Sequence, residues 1–193
     1  FAEINFGDLL NPKRILVNKW VIKQAAVVIV LTEFQLQEIR NNLKINRSIE
    51  VVTRGIDICK FKYTEKLIDF PVKFLNVAYL HPVKDQITLL KSFAIISKEI
   101  DCELLHVGED FSNGKIQQLV KELGLEGRVK FAGLVPNDLL PQYYANADIL
   151  LHTSLFESQA VVVNEAMACG VLVCGTHVGL LADLANRCCL TVN

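Results

Sequence analysis

The sequence predicts an α/β fold, a parallel sheet flanked by helices. Three observations predict it. Short β-branched runs recur along the chain, amphipathic stretches separate them, and five such strands in the second part alternate with helices at the spacing of right-handed crossovers. There is no internal repeat and no low-complexity linker.

"NPKRILVNKWVIKQA" (11–25) reads as a helix, with Asn11 as N-cap and Pro12 at the first helical position. "AVVIVL" (26–31) is a β-branched strand. Thr32 then caps "EFQLQEIRNNLK", whose Phe34, Leu36, Ile39 and Leu43 share one face. "IEVV" (49–52) is a short strand, and "TRGIDICKF" a loop with its turn at Gly55. After Pro71 a second series begins. Strands are expected at 74–80, 102–108, 128–133, 148–154 and 171–175, with helices near 84–98, 115–123, 161–169 and 179–185. Pro141 falls inside the pattern of "PNDLLPQYYANA" and predicts a break there. The best domain boundary is the loop around 53–72, which divides the chain into 1–55 and 56–193.

The 193 residues are 51% apolar and 21% charged, as in an ordinary globular chain. A net charge of −1 argues against a nucleic-acid partner held by bulk electrostatics. No apolar run approaches the roughly 20 residues of a membrane helix. The start carries no secretory pattern, and its first residue is Phe, so the natural N-terminus is expected upstream. Six cysteines lack C-x-x-C spacing and mostly fall in apolar segments. They read as reduced, buried and structural, which places the protein in the cytoplasm. The histidines at 81, 106, 152 and 177 have no metal-ligand spacing and read as structural or cleft-lining. Lys13, Arg14, Lys19 and Lys23 make the first helix partly basic, read as a solvated face; peripheral contact with a membrane is the alternative.

The stretch "SLFESQAVVVNEAMACG" (154–170) sets Glu157 and Glu165 in an otherwise apolar and small-residue run. Unpaired buried charge is costly, so the two carboxylates need a reason to be there. In open α/β sheets ligands sit at the carboxyl ends of the strands, and a helix N-terminus there favours phosphate. A strand ends at Ser154, a turn carries Glu157-Ser158-Gln159, and a helix starts near Val161. Two carboxylates bracketing an anion site suit a ligand with hydroxyls at both ends and phosphate in the middle. A nucleotide-sugar has that order.

"FESQAVVVNEAMACGVLV" resembles the E-x7-E segment of the retaining glycosyltransferases of family four, in the donor-binding half of their two-Rossmann-domain GT-B fold. "VAYLHPVKDQITLLKSFA" (77–94) is similar to that family's strand-loop-helix carrying a basic pair for the diphosphate. "RVKFAGLVPNDLLPQYYANADILLHTSLFES" (128–158) resembles its base-binding strand and the helix after it. "VVTRGIDICKF" (51–61) is similar to the segment leading out of the first domain. The resemblance implies a Rossmann-like donor domain over 56–193 behind the end of an acceptor-side domain over 1–55, with both ends of the enzyme cut away.

Residue by residue, it implies that Glu157 binds hydroxyls of the transferred sugar at the catalytic centre and Glu165 the ribose. The amides of Ser158, Gln159 and Ala160, leading into Val161, face the phosphate or sugar. Lys84 pairs with the diphosphate, Gly108 lies on the same rim, and Gly133-Leu134-Val135 border the base. Ala78-Tyr79 stand where the family has Gly-Arg, so Tyr79 supplies a hydrogen bond but no charge. The turn "ESQA" has no glycine, so its backbone must avoid positive φ or be strained to reach it. The implied partners are a nucleotide-sugar donor and a sugar, glycan or lipid-linked acceptor, with no metal or other cofactor. The implied location is cytoplasmic, with room for peripheral contact at the membrane face through the first domain. A non-catalytic nucleotide-sugar-binding module and a nucleotide-sugar epimerase are the alternatives.

Overall fold

The computed structural model describes residues 12–192, apart from 66, 68 and 186. Asn11, the expected first cap, lies outside them, as does the side chain of Lys13. The first unit holds helix α1 (Pro12–Gln24), strand β1 (Ile29–Val30), helix α2 (Glu33–Leu43) and strand β2 (Glu50–Val51), the two strands paired in parallel. Thr32 caps α2 as expected: its hydroxyl accepts from the Gln35 amide at 3.1 Å, and the Gln35 side chain reaches back to the Leu31 amide at 2.9 Å. Arg47 closes the other end of α1 by donating to the Ala25 carbonyl at 2.8 Å.

The second unit holds β3 (Val72–Val77), α3 (Gln86–Glu99), β4 (Cys102–Val107), α4 (Lys115–Glu122), β5 (Val129–Phe131), α5 (Leu140–Ala145), β6 (Ile149–His152), α6 (Val161–Ala168), β7 (Leu172–Thr176), α7 (Gly179–Leu184) and β8 (Leu190–Val192). Single 3-10 turns at Pro82–Lys84 and Asn137–Leu139 precede α3 and α5. All pairings are parallel, in the order β5-β4-β3-β6-β7-β8. Counted from β3, that is 3-2-1-4-5-6, the doubly wound Rossmann order.

Each face of the sheet is covered, as parallel strands require. Alternation along β3 sends Val72 and Phe74 into a cluster with Leu89, Phe93 and Val120 of α3 and α4. Leu75 points the other way, to Tyr144, Val163 and Leu181 of α5, α6 and α7. One polar chain crosses the middle. The His106 Nδ1 lies 2.8 Å from Asn76 Oδ1, and Asn76 Nδ2 donates to the Leu151 carbonyl at 2.8 Å. Burial pushes His106 down to about 4, so its imidazole is neutral and Nδ1–H is the donor to Asn76.

Four expectations are corrected. Pro141 does not break a helix; it sits in the first turn of α5, where its missing N–H costs nothing. The turn in "TRGIDICKF" belongs to Asp57, whose carboxylate accepts from the Cys59 amide at 2.8 Å, and not to Gly55. A sixth strand, β8, pairs with β7, because Leu190–Val192 meets an edge that was open to it. Cys59 and Cys188 are exposed, although Cys102, Cys169 and Cys189 are buried; among the described residues no disulfide forms. No described helix is long and apolar enough to cross a membrane.

Candidate functional site

In a doubly wound sheet the crossovers leave the two central strands in opposite directions and open a crevice at their carboxyl ends. Here those strands are β3 and β6. A cavity of about 1150 Å³ lies at that place. Ala78, Tyr79 and Lys84, after β3, and Gly108, after β4, line it; so do Leu134 and Val135 after β5. Glu157, Ser158, Gln159, Ala160 and Val161, between β6 and α6, form its floor, and Ile22, Val30 and Gln35 of the first unit face them. Segments 80 residues apart in sequence therefore meet because parallel strands end together.

Glu157 is held from three sides. Its Oε1 receives the Lys84 ammonium and the Ser154 hydroxyl, the latter at 2.9 Å, with His152 Nε2 3.6 Å away. Ser154 and His152 are buried at the end of β6. Burial, aided by Lys84 and opposed by Glu157, holds His152 down to about 4, so it is neutral near pH 7.

The turn leading into α6 is fixed from the first unit. Gln159, 2% exposed, accepts from the Arg54 amide at 2.8 Å and donates to the Arg54 carbonyl at 2.7 Å. The Thr32 hydroxyl donates to the Ser158 carbonyl at 2.9 Å. Asp183 of α7 accepts from the Glu33 and Phe34 amides, both at 2.8 Å, and so caps α2 across the two units. Ala160 takes the strained alternative that the glycine-free turn leaves open, with φ 65° and ψ 75°. Ala160→Gly is expected to raise stability by roughly 0.5–1 kcal/mol, since relief of strain outweighs the entropy of the added glycine. Urea denaturation checks this, and a loss of stability would mean that the alanine methyl is needed for packing.

Glu165 is not among the cavity-lining side chains. It is 5% exposed, and its Oε2 accepts from the fully buried Tyr144 hydroxyl at 2.7 Å. Burial and the neighbouring Glu165 carboxylate raise the Tyr144 pKa far above its ordinary value, which keeps the hydroxyl a donor. Glu165 nonetheless follows Val161, which lines the cavity, by one helical turn. Gly133 also stands off the cavity wall, where its φ of 70° turns the chain out of β5 and its carbonyl accepts from the Gly108 amide at 2.8 Å. Among the described residues no group of three or more His, Cys, Asp or Glu is placed to share a metal ion.

A family model described as "Glycosyl transferases group 1" matches residues 64–187, more than half of the chain. The chain belongs to this family. Among curated relatives of the group 1 glycosyl transferases it resembles, the N-acetyl-alpha-D-glucosaminyl L-malate synthase of Bacillus anthracis is 32% identical over 174 residues, covering 86% of this chain and 45% of the relative. A D-inositol 3-phosphate glycosyltransferase of Mycolicibacterium vanbaalenii is 28% identical, over 92% of this chain and 44% of the relative. Among solved structures, sucrose-phosphate synthase from Thermosynechococcus elongatus superposes with a TM-score of 0.81 at 26% identity, over 94% of this chain and 49% of that one. Anabaena HepE in complex with UDP-glucose gives 0.77 at 24% identity, over 94% of this chain and 54% of that one. The chain thus spans about half the length of the relatives it matches. Its fold is the Rossmann-like unit of GT-B proteins.

Within this group 1 domain, ten of the twelve residues singled out from sequence line one cavity, Gly133 and Glu165 being the two that do not. Sequence reading missed Arg54, which lines the same cavity, and Gly179, whose added Cβ would come within 3.0 Å of Glu157 Cβ. The glycine at the start of "GLLADLA" was the available signal for the second. Nothing local marked the first, because Arg54 is placed by Gln159, 105 residues away.

Proposed function

We propose that the chain is the donor-binding half, with the end of the acceptor-side domain, of a metal-independent retaining glycosyltransferase of family four. The observation that carries the reading is the meeting of Lys84, Glu157 and the start of α6 in one cavity at the switch point of the sheet. On this reading the cavity takes a nucleotide-sugar, with Leu134 and Val135 bordering the base. The diphosphate lies against Lys84, the Arg54 side and the free amides at the α6 N-terminus, which offset the charge that develops as the sugar–phosphate bond breaks. Arg54 makes up for the cation that Tyr79 does not supply. Glu157 accepts from hydroxyls of the departing sugar. Glu165 serves the ribose through the oxygen that Tyr144 does not hold.

The acceptor, a sugar, glycan or lipid-linked group, enters from the first-unit side, and residues 1–55 belong to the domain that receives it. Attack from the side of the leaving phosphate keeps the anomeric configuration. The protein acts at the cytoplasmic side, and membrane contact, where it occurs, is made by the first domain. The test is transfer by the complete protein from a panel of nucleotide-sugars, with the product's anomeric coupling read by proton NMR. Retention supports the reading and inversion contradicts it. Binding without turnover would favour a nucleotide-sugar-binding module.

A further inference from the structure

Three groups converge on one oxygen of the site's own carboxylate. Glu157 Oε1 is engaged by the Lys84 ammonium and by the Ser154 hydroxyl, and His152 Nε2 stands 3.6 Å from it, beyond hydrogen-bond reach. Lys84 is therefore held by a protein carboxylate at the place where, on the reading above, a diphosphate lies. His152 is 2% exposed, lines the cavity, and its Nε2 has no hydrogen-bond partner. A buried ring nitrogen left unsatisfied is costly, so a second arrangement in which it gains a partner lies within reach. Glu157 Oε1 is an acceptor 3.6 Å from it.

We propose that Lys84 and Glu157 form a resting ion pair that an incoming diphosphate divides, and that His152 is the positioning residue that takes up Glu157 Oε1 when Lys84 turns to the phosphate. This rests on the donor-site reading above. The exchange costs little in partners: Lys84 trades one oxyanion for another, and Glu157 keeps Ser154 while gaining an imidazole N–H. A neutral His152 suits the part, because it donates from Nε2 without adding a charge that would compete for the phosphate. The device also makes the carboxylate ready for the donor only when the diphosphate is in place. An anion lacking the second phosphate engages Lys84 less strongly and leaves the pair closed.

Inorganic pyrophosphate is the probe, since it carries the diphosphate and neither base nor sugar. Glu157→Gln removes the charge that holds Lys84 and keeps the shape. It is expected to bind pyrophosphate roughly tenfold more tightly than the parent, the size of one hydrogen bond to a charged group. His152→Leu is expected to weaken pyrophosphate binding in the parent and to have little effect in the Glu157→Gln background, because Lys84 then needs no release from a carboxylate. In the parent, the ¹⁵N resonance of His152 Nε2 should move on pyrophosphate addition while that of His106 stays. Circular dichroism confirms that the variants are folded. Pyrophosphate that binds the parent but is not tightened by Glu157→Gln overturns this proposal alone. A tightened variant with a stationary His152 Nε2 signal overturns the role of His152. Binding to neither parent nor variant removes the donor-site reading and this proposal together.

Discussion

Gly108→Ala is expected to cost more than about 4 kcal/mol, beyond the usual range for a point substitution and enough to unfold a marginally stable domain. Gly108 leaves β4 with a φ of 151°, and an added Cβ would stand 1.8 Å from the Ala78 carbonyl oxygen and 2.5 Å from its carbon. Neither atom belongs to a side chain that could swing away. Ala78 is tied to β4 by its amide, which donates to the Val107 carbonyl at 2.9 Å, so relief means parting the ends of β3 and β4. Those ends carry the rim of the cavity. Gly133→Ala is the control. Its φ is 70°, but nothing lies within 4 Å of the added methyl, and the expected cost is about 1 kcal/mol of backbone strain. Urea denaturation of the two variants should separate them by several-fold in lost stability. Equal, small losses would mean that β3 and β4 do not approach as closely as described.

The second large effect is a loss of stability in mild acid. His106 and His152 are both buried and both held down to about 4 from an ordinary value of 6.5, with burial the first cause in each. A group whose pKa is lower in the folded state binds its proton more readily when unfolded. Stability is therefore complete above pH 6.5 and falls as pH drops toward 4. Each imidazole contributes a slope approaching roughly 1.4 kcal/mol per pH unit inside that window, so the pair removes on the order of 5 kcal/mol across it. Denaturant melts between pH 7.5 and 4.5 should show the decline before the ordinary carboxylates titrate. Replacing His106 by Gln should roughly halve the slope. A flat profile over the window would contradict burial of the two rings.

Much of this was legible in sequence, for identifiable reasons. The strands of a parallel sheet covered on both faces are continuous apolar runs, and "FLNVAYL", "CELLHVG" and "DILLHTS" announce themselves as β3, β4 and β6. Their ends were placed one to three residues too late, because the apolar run continues into the site loop. Tyr79 and Leu80 are examples: past the strand, one lines the cavity and the other is buried. Strand β8 escaped because three residues, Leu190–Val192, carry no periodicity of their own. Glu157 and Glu165 were visible as charges in an apolar stretch, yet their environments were not. Whether a carboxylate faces a cavity or a buried phenol depends on Tyr144, 21 residues upstream and on another helix. The pairing of Gln159 with the Arg54 backbone is likewise a product of the closed fold.

The central claim is that the crevice at β3 and β6 holds a diphosphate through Lys84. Calorimetric titration with a uridine, UMP, UDP and pyrophosphate ladder, repeated with adenosine and guanosine ligands, tests it most directly. Diphosphates of at least one base should bind tenfold or more tightly than the matching monophosphate, roughly 1.4 kcal/mol or better, and Lys84→Ala should erase most of that difference. Affinity that ignores the second phosphate, or a diphosphate preference that survives the loss of Lys84, would contradict the account.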